Sequence, residues 1–178
     1  MNNNHNEIMN YIDKCVHRIP DFPEKGVLFY DFSGVLNDTY AWPLSVSLLS
    51  KEMGKYSPDL VMGLEARGFV FAAPLALNHG TGLVLARKKG KVPGETISAS
   101  YGMEYGHKTI EISTLAIKKG QKVVIVDDLL ATGGTALAAI DLVEKAGGIV
   151  SAVLFAIELK SFNARAKFKV PVFSLLQY

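Results

Sequence analysis

The sequence predicts an α/β fold: a central parallel β-sheet flanked by helices, with a small N-terminal hood and a flexible lid loop. Three observations lead there. Two stretches in succession read as strand–helix–strand, which implies parallel strands with helices on their faces. The run Lys122-Val123-Val124-Ile125-Val126 is β-branched and apolar on both faces, as a central strand of a parallel sheet should be. The chain has 178 residues, 49% of them hydrophobic, enough for one domain with a substantial core.

The elements follow in chain order. Residues 21–34 are rich in aromatics, Gly and Pro and precede the first clear unit, so they read as a flap; the hood is placed at residues 1–34 and the core at 35–178. After Ser57-Pro58 comes a short apolar strand, residues 59–64. A helix over about 69–78 follows, stopped by Gly80, and residues 82–86 form the next strand. Residues 87–106 carry Gly90, Gly94, Gly102, Gly106 and Pro93 with many polar side chains, too long for an ordinary connection, so this stretch reads as a lid. Its last part, 100–105, is set to pair with 108–112 as a hairpin. In the second unit, strand 122–126 leads to a helix marked by Ala136, Ala139, Ile140 and Val143 at helical spacing. Gly147-Gly148 ends it, and residues 149–157 form another apolar strand.

Composition excludes several classes. The formal net charge is +2, so a polyanion-binding surface is not implied by the total, and any basic site must be local. The single cysteine, Cys15, rules out an intrachain disulfide and a thiolate metal cluster. The four histidines show no ligand spacing. The Asn-rich start lacks the basic and apolar regions of a signal peptide, and no apolar run approaches the roughly 20 residues that span a bilayer. A cytoplasmic protein without membrane or nucleic-acid partners is the expectation.

The strongest chemical signal is Asp127-Asp128-Leu129-Leu130-Ala131-Thr132-Gly133-Gly134-Thr135 behind the 122–126 strand. An apolar strand ends in two carboxylates, and a loop of small residues then opens a helix. Ligands of open α/β sheets bind at the carboxyl ends of strands. A helix N-terminus offers free N–H groups and a partial positive charge, which suits phosphate. Gly133 and Gly134 let the backbone come close, and Thr132 and Thr135 add hydroxyl donors. Adjacent acids would repel a phosphate, so Asp127 and Asp128 ask for hydroxyls such as a ribose diol, or a divalent cation. Thr-Gly-Gly alone is more often a simple helix cap; with the strand and the acid pair the functional reading wins. Neither a Gly-x4-Gly-Lys-Ser/Thr loop nor a Gly-x-Gly-x-x-Gly turn after a strand is present.

That segment resembles the phosphoribosyl diphosphate signature of type I phosphoribosyltransferases. From about Ile19 to Tyr178 the resemblance narrows to the adenine phosphoribosyltransferases. It is carried by Phe22-Pro23-Glu24-Lys25-Gly26-Val27-Leu28-Phe29, Gly63-Leu64-Glu65-Ala66-Arg67-Gly68-Phe69, Arg87-Lys88-Lys89-Gly90-Lys91-Val92-Pro93-Gly94-Glu95, Glu104-Tyr105-Gly106 and Phe173-Ser174-Leu175-Leu176-Gln177-Tyr178. It implies the type I phosphoribosyltransferase fold. The reaction implied is attack of adenine N9 on C1′ of 5-phosphoribosyl 1-diphosphate, giving AMP and diphosphate, with Mg²⁺ on substrate oxygens and water. A cytoplasmic homodimer is implied as well.

The resemblance also assigns residues. Ala131, Thr132, Gly133, Gly134 and Thr135 hold the 5′-phosphate, and Asp127 and Asp128 the ribose. Glu65, Ala66, Arg67, Arg87, Lys88, Lys91 and Tyr105 hold the diphosphate, some of the basic residues reaching across the dimer interface. The Glu65–Ala66 peptide is expected to be cis. Arg67 and Glu104 are the catalytic candidates, Glu104 as acceptor of the N9 proton. Leu28, Phe29, Tyr30 and Leu129 form the adenine pocket, with Phe29 and Leu129 sandwiching the purine. Tyr30 departs from the family's usual Arg, while Asp31 keeps to it. Taken singly, each has a plainer reading: Arg67 as surface charge, the four basic residues in 87–91 as a solvated turn, Glu104 as a strand residue facing solvent, Phe29 as core.

Two rivals remain at this level: a 6-oxopurine or orotate phosphoribosyltransferase, and a regulatory binder. The 6-oxopurine phosphoribosyltransferases usually carry an acid where Ala131 stands, so Ala131 argues for adenine. A regulatory protein that binds phosphoribosyl diphosphate without turnover would add a DNA-binding domain, for which the stretch before the hood is too short.

Overall fold

The computed structural model describes residues 2–103 and 106–178, so the expectations for Glu104 and Tyr105 lie outside the described residues. Two compact units appear, Met1–Leu48 and Leu49–Tyr178.

In the first unit, the Asn-rich start forms a helix, α1 (Asn2–Cys15). Ile8, Met9, Ile12 and Val16 recur at helical spacing, and Ile12 and Val16 are buried. The flap is a two-stranded hairpin of β1 (His17–Pro20) and β2 (Leu28–Asp31), with Arg18 opposite Tyr30 and Ile19 opposite Phe29. Its turn is tied by the Asp21 carboxylate, which accepts the Gly26 N–H at 2.7 Å, and Phe22 meets Phe29 edge-on at 5.1 Å. The short α2 (Ser33–Asn37) precedes α3 (Ala41–Met53), which starts in this unit and runs into the next. Asp38 caps α3 by accepting the N–H groups of Ala41 and Tyr40, and these bonds hold its carboxyl below the usual aspartate range.

The second unit is built on a seven-stranded sheet in the order β5-β6-β4-β3-β7-β8-β9. Its strands are β3 (Leu60–Leu64), β4 (Gly82–Lys88), β5 (Thr96–Met103), β6 (Gly106–Ser113), β7 (Lys122–Leu130), β8 (Ile149–Glu158) and β9 (Val172–Gln177). β4, β3, β7, β8 and β9 run parallel, as expected. Val123 to Val126 are wholly buried, as the apolar run on both faces requires. The helices α4 (Arg67–His79) and α5 (Gly134–Lys145) follow β3 and β7. Gly80 caps α4 in the left-handed region, where the sequence places a stop. Among the described residues, no helix is long and apolar enough to cross a membrane.

Two expectations need correction. Among the described residues, the 87–106 stretch is not one long loop: Arg87 and Lys88 extend β4, and the hairpin expected of 100–105 with 108–112 forms and runs longer, β5 pairing with β6 along eight residues from Thr96↔Ser113 to Met103↔Gly106. The hairpin adds two antiparallel strands at the sheet edge, so the sheet is mixed. It holds because Ala99, Ile110 and Ile112 are buried in the same apolar cluster as Ala136 and Ala139 of α5, while glycines and polar residues between them mask the alternation in sequence. Second, β7 does not end at the acids. It continues to Leu130 because Leu129 and Leu130 still pair with Ile157 and Glu158 of β8, so Asp127 and Asp128 sit on the strand itself.

Candidate active site

At the carboxyl ends of β3, β4 and β7 lies a cleft of about 780 Å³ lined by Glu65, Ala66, Arg67, Lys88, Tyr101, Lys108, Thr109, Ile110, Asp127, Asp128, Leu129 and Thr135. Beside it is a hollow of about 90 Å³ formed by residues 129–136 with Asp127 and Phe155. The parallel register explains the meeting. β3 lies between β4 and β7, so the ends of all three strands open on one edge.

The loop after β7 has the form the sequence predicts. Gly133 is at φ 84° and stands just before α5, in the region where only glycine is unstrained. The backbone N–H groups of Thr132, Gly133, Gly134, Thr135 and Ala136 donate to no described acceptor, so the loop offers a set of free donors at a helix N-terminus.

The acid pair is asymmetric. Asp128 accepts from Arg67 Nε, while Asp127 Oδ1 accepts the Asp128 N–H at 2.9 Å. Burial, and then the neighbouring Asp128 charge, push the Asp127 carboxyl well above the usual aspartate range. The Glu65–Ala66 peptide is cis, as the family resemblance implies. The Glu65 carboxylate accepts the Lys88 N–H at 2.8 Å and lies 3.5 Å from Arg87 Nε, joining the ends of β3 and β4.

Not every expected residue meets here. Arg87 and Lys91 do not line the cleft; Arg87 donates to the Lys91 carbonyl at 3.0 Å. Leu28, Phe29 and Tyr30 lie on β2 of the first unit, half-buried or exposed, and Arg18 stacks over the Tyr30 ring at 5.9 Å. Leu129 lines the cleft.

Several contributors carry no signal in the sequence alone. Tyr101, Lys108 and Thr109 enter the cleft from the hairpin, visible only once β5 and β6 are known to pair. Glu111, between Ile110 and Ile112 in sequence, is buried and accepts the N–H groups of Gly90 at 2.8 Å and Val92 at 3.2 Å, which fixes the turn carrying Lys91.

Comparison with known proteins agrees with this geometry. The model of the phosphoribosyl transferase domain family matches residues 45–171. An adenine phosphoribosyltransferase of Gluconobacter oxydans is 46% identical over 172 residues, 97% of this chain and 94% of that one. That of Caldanaerobacter subterraneus is 49% identical over 156 residues, 88% and 90% of the two chains. The crystal structure of adenine phosphoribosyltransferase from Thermoanaerobacter pseudethanolicus superposes with a TM-score of 0.92 at 45% identity, covering 96% of this chain and 99% of that one. The Saccharomyces cerevisiae enzyme, complexed with an imino-altritol bisphosphate and adenine, gives 0.90 at 37% identity, with 96% and 99% covered. With a matching domain, matching fold and near full-length identity, the chain belongs to the adenine phosphoribosyltransferases of the type I phosphoribosyltransferase family.

Proposed function

We infer that the chain is a purine-salvage enzyme that transfers the 5-phosphoribosyl group from 5-phosphoribosyl 1-diphosphate to N9 of adenine, giving AMP and diphosphate. One observation carries the reading: on a single sheet edge, a pair of acids and the cations Arg67 and Lys88 line one cleft, and free loop N–H groups line the hollow beside it. A substrate with a phosphate, a diol and a diphosphate matches those three chemistries in that arrangement.

The roles follow from the chemistry. The C1′–O bond to diphosphate breaks as the N9–C1′ bond forms, so positive charge builds on the ribose and negative charge on the leaving group. Arg67 and Lys88 offset the second. Asp127 and Asp128 receive the ribose hydroxyls and sit near the developing cation. Residues 131–135 hold the 5′-phosphate and fix the distance to C1′. Glu104 takes the N9 proton, and Tyr105 joins the diphosphate site. The Phe29–Leu129 sandwich of adenine, with Leu28 and Tyr30, belongs to the same reading.

Mg²⁺ fits this donor set as a substrate-borne ion. The acids are hard oxygen donors, but the described residues gather no group of three or more His, Cys, Asp or Glu that could hold a metal. Bound through diphosphate and ribose oxygens, Mg²⁺ would neutralise part of the leaving-group charge. A homodimer completes the reading: Arg87 and Lys91, which do not line their own cleft, serve the partner's diphosphate. Charged phosphoribosyl substrates do not cross membranes, which suits a cytoplasmic setting.

A spectrophotometric assay with adenine, hypoxanthine or guanine and 5-phosphoribosyl 1-diphosphate tests the proposal. AMP formation with adenine and little product from the oxopurines is expected, since Ala131 offers no acid to an oxopurine N7. Equal turnover of hypoxanthine would sink the adenine assignment, and no transfer to any base would sink the enzyme reading.

A further inference from the structure

Behind the 131–135 loop stands a short turn, Ala164–Lys167, whose purpose is not evident from sequence. Lys167 Nζ donates to the carbonyl oxygen of Thr132 at 3.0 Å, bridging 35 positions of chain. The same turn packs against Gly133: a Cβ built there would meet Phe168 Cε2 at 3.2 Å and Ala164 Cβ at 3.4 Å. Phe168 rests edge-on against Phe155, with ring centroids 6.4 Å apart. The turn is itself clamped. Arg165 lies between Glu158, the Val172 carbonyl and the Ser174 hydroxyl, and Glu158 and Ser174 are both buried.

Neither Lys167 nor Phe168 lines the hollow, so the turn meets the loop from outside it. The Thr132–Gly133 peptide is trans, because the cis peptides of the described residues are Phe22–Pro23 and Glu65–Ala66. In a trans peptide the C=O and N–H point to opposite sides. A carbonyl drawn outward to Lys167 therefore turns the Gly133 N–H inward. A cationic donor on the carbonyl also polarises the peptide, which makes that N–H a better donor.

We propose that Lys167 is a positioning residue for the 5′-phosphate: by holding the Thr132 carbonyl from behind, it aims the Gly133 N–H into the hollow where the phosphate sits. The proposal rests on the reading of residues 131–135 as the phosphate loop. It assigns Lys167 no contact with the ligand; the lysine acts through one peptide plane. Among the described residues no carboxylate lies within ion-pair distance of Lys167, so its hydrogen bond to the loop is not shared with an acid.

The test compares the dissociation constants of AMP and adenosine, measured on the same full-length protein by calorimetry. Their ratio isolates the phosphate and cancels any unfolded fraction. Lys167→Met should weaken AMP about 3- to 10-fold and leave adenosine unchanged, the range for one exposed hydrogen bond. Lys167→Arg, which keeps a cationic donor, should recover most of the loss. Lys169→Met removes the same charge two residues on, from a lysine that bonds no described residue, and should change nothing. A wild-type ratio in Lys167→Met, or an equal loss in Lys169→Met, overturns the proposal. Gly133→Val separates the underlying reading: it should abolish the AMP preference, and if it leaves AMP affinity intact, the phosphate-loop assignment fails instead.

Discussion

Arg67 Nε donates to the carboxylate of Asp128, tying the first residue of α4 to a strand residue of β7 at the mouth of the cleft. The Arg67 side chain is 65% exposed, so the pair contributes little to folding. Its position is what matters. Arg67→Gln should leave the melting temperature within about 4 °C of wild type, because an exposed pair is worth about 1 kcal/mol at most. The turnover number should fall about 10²- to 10³-fold, the usual loss for one transition-state donor. A variant that melts much lower but turns over normally would reduce Arg67 to a structural brace.

Asp127 and folding respond to pH in a fixed direction. Its folded carboxyl titrates above the unfolded one, so its contribution to stability is fully present in acid and is lost as pH rises through the folded value. Asp127→Asn keeps an oxygen for the Asp128 N–H and cannot ionise. The variant should melt about 2–4 °C higher near neutral pH, an effect of about 1 kcal/mol for a chain this size, with the gap closing on acidification. The same variant should bind phosphoribosyl diphosphate more weakly. Calorimetric melts across pH decide the first point; a gap that widens in acid contradicts it.

The ring of Tyr101 in the hairpin lies against Gly134, the first residue of α5. A Cβ on Gly134 would stand 2.9 Å from Tyr101 Cδ2, so Gly134→Ala must displace that ring. Its KM for phosphoribosyl diphosphate should rise about tenfold, one step of 1.4 kcal/mol. In Tyr101→Ala the added methyl has nothing to displace, so the two changes should couple by about 0.5–3 kcal/mol in a double-mutant cycle. Strict additivity would show that the ring and the loop are independent.

Glu158 is 5% exposed, and its carboxyl is held below the usual range, first by the Arg165 hydrogen bond and then by Ser174. A depressed carboxyl adds stability above its unfolded value and gives it up as pH falls through the folded one. Arg165→Met strands that buried charge. The expected cost is about 2–3 kcal/mol near neutral pH, below the roughly 3–5 of a fully buried pair because Arg165 is 41% exposed. Urea titration measures it. The variant should also lose the acid-side drop that Glu158 gives the wild type; an unchanged acid profile would place that drop elsewhere.

The parallel core and the glycine loop that opens α5 were legible in the sequence because their signals are local. Val123 to Val126 announce a buried strand, and Thr132-Gly133-Gly134-Thr135 a helix entrance. The hairpin was only half legible: Ile97, Ala99, Ile110 and Ile112 alternate properly, but glycines and polar neighbours hide the pattern until two strands are seen to pair. Lys167 and Glu111 were not legible at all. Each acts on a backbone group distant in sequence, Thr132 O and the Gly90 N–H, and a partner of that kind leaves no periodic trace. The end of β7 was not legible either, since cross-strand pairing to Ile157 and Glu158, not composition, decides where that strand stops.

The order β4-β3-β7 makes the sheet a ruler. Adjacent strands are spaced by about 4.8 Å, so the loops after β4 and β7 are held about 10 Å apart by a ladder of backbone hydrogen bonds. Flexible side chains have no part in setting that interval. A sugar charged at both ends can bridge it, whereas one charged at a single end reaches one mark and slides. On this view the scaffold discriminates by length before any base is read. Swapping a base-reading residue would then change which nucleobase is accepted and leave the gauge itself intact.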